Sequence, residues 1–172
     1  MESSADENIP LIPVFVVPYL IGIVFWIFSI IFINLKGEKT IVKRFNIAII
    51  LASILSVLIY IIYPTYVIRP EITSTDVFSN ILNFIYANDR VFNAAPSGHT
   101  FYTILCLLSL WKVTPKYQAV WFVLSVLIIA ATLFTKQHNF LDMILGFLFA
   151  LLVYFVSFKI DLKSRAINTN VK

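Results

Sequence analysis

The sequence predicts an all-α, polytopic membrane bundle of about five transmembrane helices with one short interfacial helix, and three observations predict it. Of 172 residues, 60% are hydrophobic and only 13% charged. Apolar runs close to the ~20 residues needed to cross a bilayer recur five times. The basic residues gather in the short segments between those runs, alternating in a way that reports orientation. In hydrocarbon each backbone N–H and C=O must be satisfied within its own segment, so runs of this kind become helices. The same composition excludes a disordered chain, a collagen-like repeat and a soluble coiled coil. A single cysteine, Cys106, allows no internal disulfide and no thiolate metal cluster, and is read as a small packing residue in its own span. The net charge of +4 is scattered rather than striped, which argues against nucleic acid as a partner.

In chain order, the first run extends from about Ile12 to Leu35. It is too long for a secretory signal, follows Glu2, Asp6 and Glu7, and ends in lysines, so it is read as a retained span. A basic turn, Lys36 to Arg44, leads to the second run, Phe45 to Tyr63. The third, Gly98 to Trp111, is short for a full crossing and is expected to begin below the surface, in a pocket lined by other helices. The fourth runs from Gln118 to Phe134 and the fifth from Phe140 to Phe158, with a tail expected to fray after Lys163. Between the second and third runs, Val77, Phe78, Ile81, Leu82 and Ile85 recur at helical spacing behind Ser74, Thr75 and Asp76, which can cap a helix start. This segment is the interfacial helix. Tyr63, Tyr66 and Tyr86 fit an aromatic belt.

With the first loop placed inside, ten of the 13 basic residues fall on the inner side. Arg69, Arg90 and Lys136 remain on the outer side, where topology gives no reason for a cation. Arg90, beside Asp89, is read as part of a loop ion pair. Both histidines of the chain, His99 and His138, sit on that same side, each at the start of an apolar helix. Pro96-Ser97-Gly98-His99 reads as a helix entry in which Ser97 is the N-cap and Gly98 lets another group approach the backbone. Free N–H groups at such an end favour an anion. His138 and Asp142 are four apart and would share one helical face, so the carboxylate could accept one ring N–H and leave the other nitrogen a lone pair. Lys136 and Arg69 could supply charge to a phosphate, Arg69 as a bidentate clamp.

Taken together, Arg69-Pro70, Pro96-Ser97-Gly98-His99 and His138-x-x-x-Asp142 resemble the three motifs of the type 2 phosphatidic acid phosphatase superfamily, over roughly Tyr63 to Gly146. Phe134 to His138 is more similar to the inositolphosphoryl-transferase-related branch. Two positions depart from the pattern. Ile62 stands where the first motif carries a lysine, and Thr132 where the third carries an arginine, and Lys136 is a candidate replacement for one of them. The family commonly has six spans where five are counted here.

The resemblance implies phosphoryl transfer without cofactor or metal. His138 would attack phosphorus to form a phosphohistidine, with Asp142 stabilising the charged ring. His99 would protonate the leaving oxygen and then activate water or an alcohol. Arg69, Lys136, Ser97 and the backbone at Gly98 would hold the phosphoryl oxygens. The implied substrate is a membrane lipid phosphate or pyrophosphate of the phosphatidic acid, phosphatidylglycerol phosphate or polyprenyl pyrophosphate class. It would be met on the non-cytoplasmic face of a multi-pass protein of the plasma membrane. One domain, 1–172, is expected, with its catalytic motifs within 63–146. Three alternatives stay open: a lipid phosphotransferase, a non-catalytic lipid- or partner-binding protein on the same fold, and a zinc site built from His99, His138 and Asp142.

Overall fold

The computed structural model describes residues 4–169, with side chains over 5–157. A four-residue helix α1 (Ser4–Glu7) precedes a 3₁₀ turn (Pro13–Phe15) and the long helices α2 (Val16–Lys36) and α3 (Lys39–Ile62). A connection carrying α4 (Val77–Asn88) leads to α5 (Gly98–Val113), a 3₁₀ turn (Pro115–Tyr117), α6 (Gln118–Phe134) and α7 (Phe140–Thr169). Pro13 and Pro18 stand at or near a first turn, where a missing N–H costs little. Gly37 closes the α2–α3 turn so tightly that a Cβ there would lie 2.6 Å from the Ile33 carbonyl oxygen. Beside that turn Asn34 and Asn46 exchange side-chain hydrogen bonds of 3.2 and 2.8 Å, a pairing suited to a medium where a lone amide is costly.

Helix α5 is the hub, packing against α2, α3, α6 and α7. Most of it is buried, from Thr100 and Phe101 to Leu110. Its 16 residues span about 24 Å, short of the ~30 Å hydrocarbon core. Four helical segments, in contrast, have the length and composition to cross a membrane, Pro13–Lys36, Lys39–Ile62, Pro115–Phe134 and Phe140–Ser157. The short third run is therefore an inner helix sheathed by four longer ones, as its length anticipated. The helices meet through narrow stripes of small residues: Ala48, Ala52 and Ser56 on α3, and Gly146, Ala150 and Ser157 on α7 are all buried. Outward faces are as apolar as inward ones. Val24, Ile27, Ile31 and Leu35 on α2 are 55 to 74% exposed, and Leu148, Leu152 and Phe155 on α7 are 55 to 62% exposed. In water such a surface would aggregate, whereas lipid tails match it, and the chain is an integral membrane protein.

Helix α4 begins where its cap predicts. The Asp76 carboxylate accepts from the backbone of Phe78 at 2.9 Å and Ser79 at 3.1 Å, and Ser74 donates to its other oxygen at 2.7 Å. The basic turn differs from expectation at its far end, because Lys39 to Arg44 already belong to α3. The backbone also stays helical past Lys163, to Thr169. Lys159, Lys163, Arg165 and Lys172, expected on the inner side, lie outside the described side chains.

Candidate active site

Two legs of the long connection fold back on each other. Tyr66 and Phe92 form an isolated antiparallel bridge, Val67 donates to Val91 at 3.0 Å, and Asn93 donates to Thr65 at 2.7 Å. This pairing brings Arg69 and Arg90 to the end of the bundle where α5 begins. There Ser97 caps α5, its hydroxyl accepting from the Thr100 backbone at 3.3 Å. Tyr60 of α3 donates to the Pro96 carbonyl at 2.7 Å, and the Ser97 N–H donates to the Asp142 carbonyl at 3.0 Å. Helix α7 reaches this turn only because residue 146 lacks a side chain: a Cβ on Gly146 would lie 2.7 Å from the Ser97 carbonyl oxygen.

The other histidine is delivered by the end of α6. Lys136 adopts a left-handed φ of 50°, its N–H donates to Leu133, and the Gln137 N–H donates to Thr132 at 2.9 Å. These are the two hydrogen bonds of a Schellman helix end, here built with lysine where glycine is usual. The chain reverses and points residues 137 and 138 back into the bundle. His138 therefore lies in the connection before α7 rather than on the helix. Its relation to Asp142 is that of a turn residue to the third position of the next helix, which corrects the shared helical face expected from their spacing. Asp142 is fully buried, and one carboxylate oxygen accepts from the Asn139 N–H at 2.9 Å, a helix-start capping bond.

These elements enclose a cavity of about 190 Å³, bordered by His99, His138, Arg69, Gln137, Gly98 and Tyr60, with Arg90 and Asn93 among its other walls. The two imidazole centroids are 5.9 Å apart at an interplanar angle of 59°. That is near contact, and the open space lies beside the rings, in the cavity both border. Tyr19 stacks on His99 at 4.2 Å and Trp26 tilts against it at 4.8 Å, each about one turn from Gly22 on opposite sides of it. Gly22 lets α2 lie close to α6, since a Cβ there would sit 2.9 Å from the Ile128 Cγ2 and 3.7 Å from the His99 ring. Burial lowers the His138 pKa from 6.5 to about 4, with the Arg69 charge adding to the effect and a hydrogen bond to the Ala94 backbone opposing it.

Among the described residues, six buried side-chain nitrogen or oxygen atoms have no hydrogen-bond partner, and five belong here: Arg69 Nε, His99 Nε2, Gln137 Nε2, His138 Nδ1 and Asp142 Oδ1. Buried polar atoms are normally paired, so a cluster of orphans, most of them nitrogens, suits an acceptor-rich guest. Among the described residues no three His, Cys, Asp or Glu side chains are grouped to hold a metal ion, which leaves the zinc alternative without a ligand set.

Not every expected phosphate contact reaches the cavity. The Lys136 ammonium donates to the Asp6 carbonyl at 2.8 Å, because the left-handed residue throws its side chain toward the N-terminal segment. The Ser97 hydroxyl is engaged with Thr100, and Gly98 borders the cavity. Arg69 is 8% exposed in its side chain, and its two terminal nitrogens are already committed: Nη1 to the Asp89 carbonyl at 2.7 Å, Nη2 to the Asp89 carboxylate at 3.2 Å and to Gln137 Oε1. Only Nε is left, so the bidentate clamp is not formed. Asp89 thus pairs with Arg69 and not with its neighbour Arg90, and Arg69 also lies over the Tyr86 ring at 4.8 Å. Ile62, in the family's lysine position, is 79% exposed, and Thr132, in the arginine position, is fully buried with its carbonyl anchoring the His138 turn. Sequence reading missed Gln137, Tyr19, Trp26 and Asp6. Only the neighbouring His138 marked Gln137, and the aromatic pair has the seven-residue spacing of any helix core.

No curated protein and no solved structure is detectably similar to the chain. The profile of the PAP2 superfamily, however, matches residues 42–166, which include the Arg-Pro, Pro-Ser-Gly-His and His-x-x-x-Asp segments assembled around the cavity. Spanning most of the 172 residues, that match makes the chain a member of the PAP2 superfamily, the type 2 phosphatidic acid phosphatase superfamily.

Proposed function

We propose that the protein is a lipid phosphatase that hydrolyses a lipid phosphate or pyrophosphate through a phosphohistidine intermediate, on the non-cytoplasmic face of the plasma membrane. The observation carrying this reading is the shared cavity: two imidazoles 5.9 Å apart, walled by buried donors that have no partner in the protein. In the first step a nitrogen of His138 attacks phosphorus, the bond from phosphorus to the lipid oxygen breaks, and His99 gives that oxygen its proton. In the second, His99 takes a proton from water, the oxygen adds to phosphorus, and the bond to His138 breaks to release phosphate. Nδ1, the ring nitrogen of His138 without a partner, is the one free to attack, and Asp142 Oδ1, a buried acceptor that also lacks a partner, supports a carboxylate role in steadying the ring as it gains charge. Substrate identity is supported by a second, mostly apolar groove of about 360 Å³ between α2 and α3, which shares Tyr60, Gly98 and His99 with the polar cavity. A phosphate could occupy the cavity while its apolar chain lies in the groove, still in contact with the bilayer.

The test is phosphate release from vesicles containing phosphatidic acid, with and without vanadate, whose trigonal-bipyramidal form imitates the transferring group. Turnover should be blocked by vanadate, fall to background in His138→Ala, and drop roughly 10²- to 10⁴-fold in His99→Ala. Undiminished turnover in His138→Ala would remove the nucleophile assignment. Appearance of a new lipid instead of free phosphate when an alcohol is supplied would move the protein to the phosphotransferases.

A further inference from the structure

We infer that Gln137 is a phosphate-binding residue, its side-chain amide donating to a phosphoryl oxygen where a cation would otherwise stand. The inference rests on the phosphoryl-transfer reading and assigns one more contact within that site. Arg69 fixes the amide's orientation. A guanidinium can only donate, so the Gln137 atom facing Nη2 must be the carbonyl oxygen, and the NH₂ group must point the other way. That group has no partner, and the residue is 5% exposed and borders the cavity. A purely structural latch on Arg69 would use the oxygen and leave no reason to bury a double donor without an acceptor. An anion in the cavity supplies that acceptor.

The surrounding charge explains the choice of a neutral donor. Asp89 balances Arg69, the Lys136 ammonium is turned to Asp6, and Ile62 and Thr132 offer no charge, so the one further cation bordering the cavity among the described residues is the exposed Arg90. Gln137 couples the buried Arg69 guanidinium to the ligand, orienting it through its oxygen and touching phosphate through its nitrogen.

Gln137→Glu separates the two roles. The carboxylate keeps and strengthens the contact with Arg69, but replaces a donor with a negative acceptor facing the anion. Purified protein in detergent is assayed for vanadate inhibition of phosphate release and for thermal unfolding. Vanadate affinity should weaken about 10- to 100-fold, the range of a hydrogen bond to a charged group, while Tm stays level or rises. Equal vanadate affinity in the variant and the parent overturns the inference and leaves the phosphatase reading standing. A parent chain with neither turnover nor vanadate binding overturns both. Should the glutamate variant unfold, Gln137→Met, similar in volume and uncharged, takes its place, and unchanged vanadate affinity there overturns the inference equally.

Discussion

His138 is held neutral by its surroundings: burial takes its pKa from 6.5 to about 4, so a lone pair is present over the whole neutral range. The acid limb of the turnover profile should therefore centre near pH 4, measured on phosphatidic acid vesicles from acid to neutral pH. A limb centred at 6.5 would mean the working ring is solvated. The same shift links folding to pH. Because the folded pKa lies below the unfolded one, the folded chain binds fewer protons between them. This contribution is intact above about pH 6.5 and is lost as pH falls toward about 4, so Tm should decline across that window. At this scale the sequence was legible where a residue type carries its own chemistry. Both histidines, Asp142 and Arg69 could be picked out by type and order. Lys136 could not be placed by type, because its left-handed backbone directs the side chain, and no sequence signal marks a lysine at a position that favours glycine. Gln137 escaped for the opposite reason: its meaning depends on a guanidinium 68 positions away.

Helix contacts set how far the site can deform. Gly146 brings α7 against the Ser97 turn, with the backbone oxygen of Ser97 only 2.7 Å from where a Cβ would stand. Gly146→Ala must push α7 away from α5, and overpacking of this kind costs about 1 to 3 kcal/mol. It should lower Tm and also reduce turnover more than its stability loss explains, since Asp142 and Ser97 move apart together. An alanine variant with parental Tm and turnover would show that the two helices have slack. A second tie lies at the start of α7, where Asp6 accepts from the Phe140 N–H at 2.7 Å, and the segment just beyond it is fixed by the Ile12 N–H donating to the Phe134 carbonyl at 2.8 Å. Helix positions were readable from apolar run length, to the residue for α6 and for the start of α7. The partners of those helices were not, because close approach depends on single glycines whose role appears only once the opposing backbone is present.

On the scale of the whole molecule, four long helices sheathe a short central one, and both histidines open at the same end of the sheath. Orientation in the membrane can be read with thiol chemistry, since the native Cys106 is fully buried and should give little background. Thr73→Cys, in the exposed segment before α4, should react with an impermeant maleimide added outside intact cells, and Lys39→Cys, at the exposed start of α3, only after lysis. The reverse pattern would turn the active site toward the cytoplasm. The overall class was legible because a bilayer leaves few options for a chain this apolar, whereas the reversal that brings His138 to face His99 is a tertiary event. The aromatic brace around His99 has a further consequence. Tyr19 and Trp26 belong to α2, which precedes the family-matched stretch beginning at residue 42. A fragment trimmed to the matched stretch would keep every motif yet lose both rings that cover the imidazole, so the proposed site draws on more of the chain than the family profile makes recognisable.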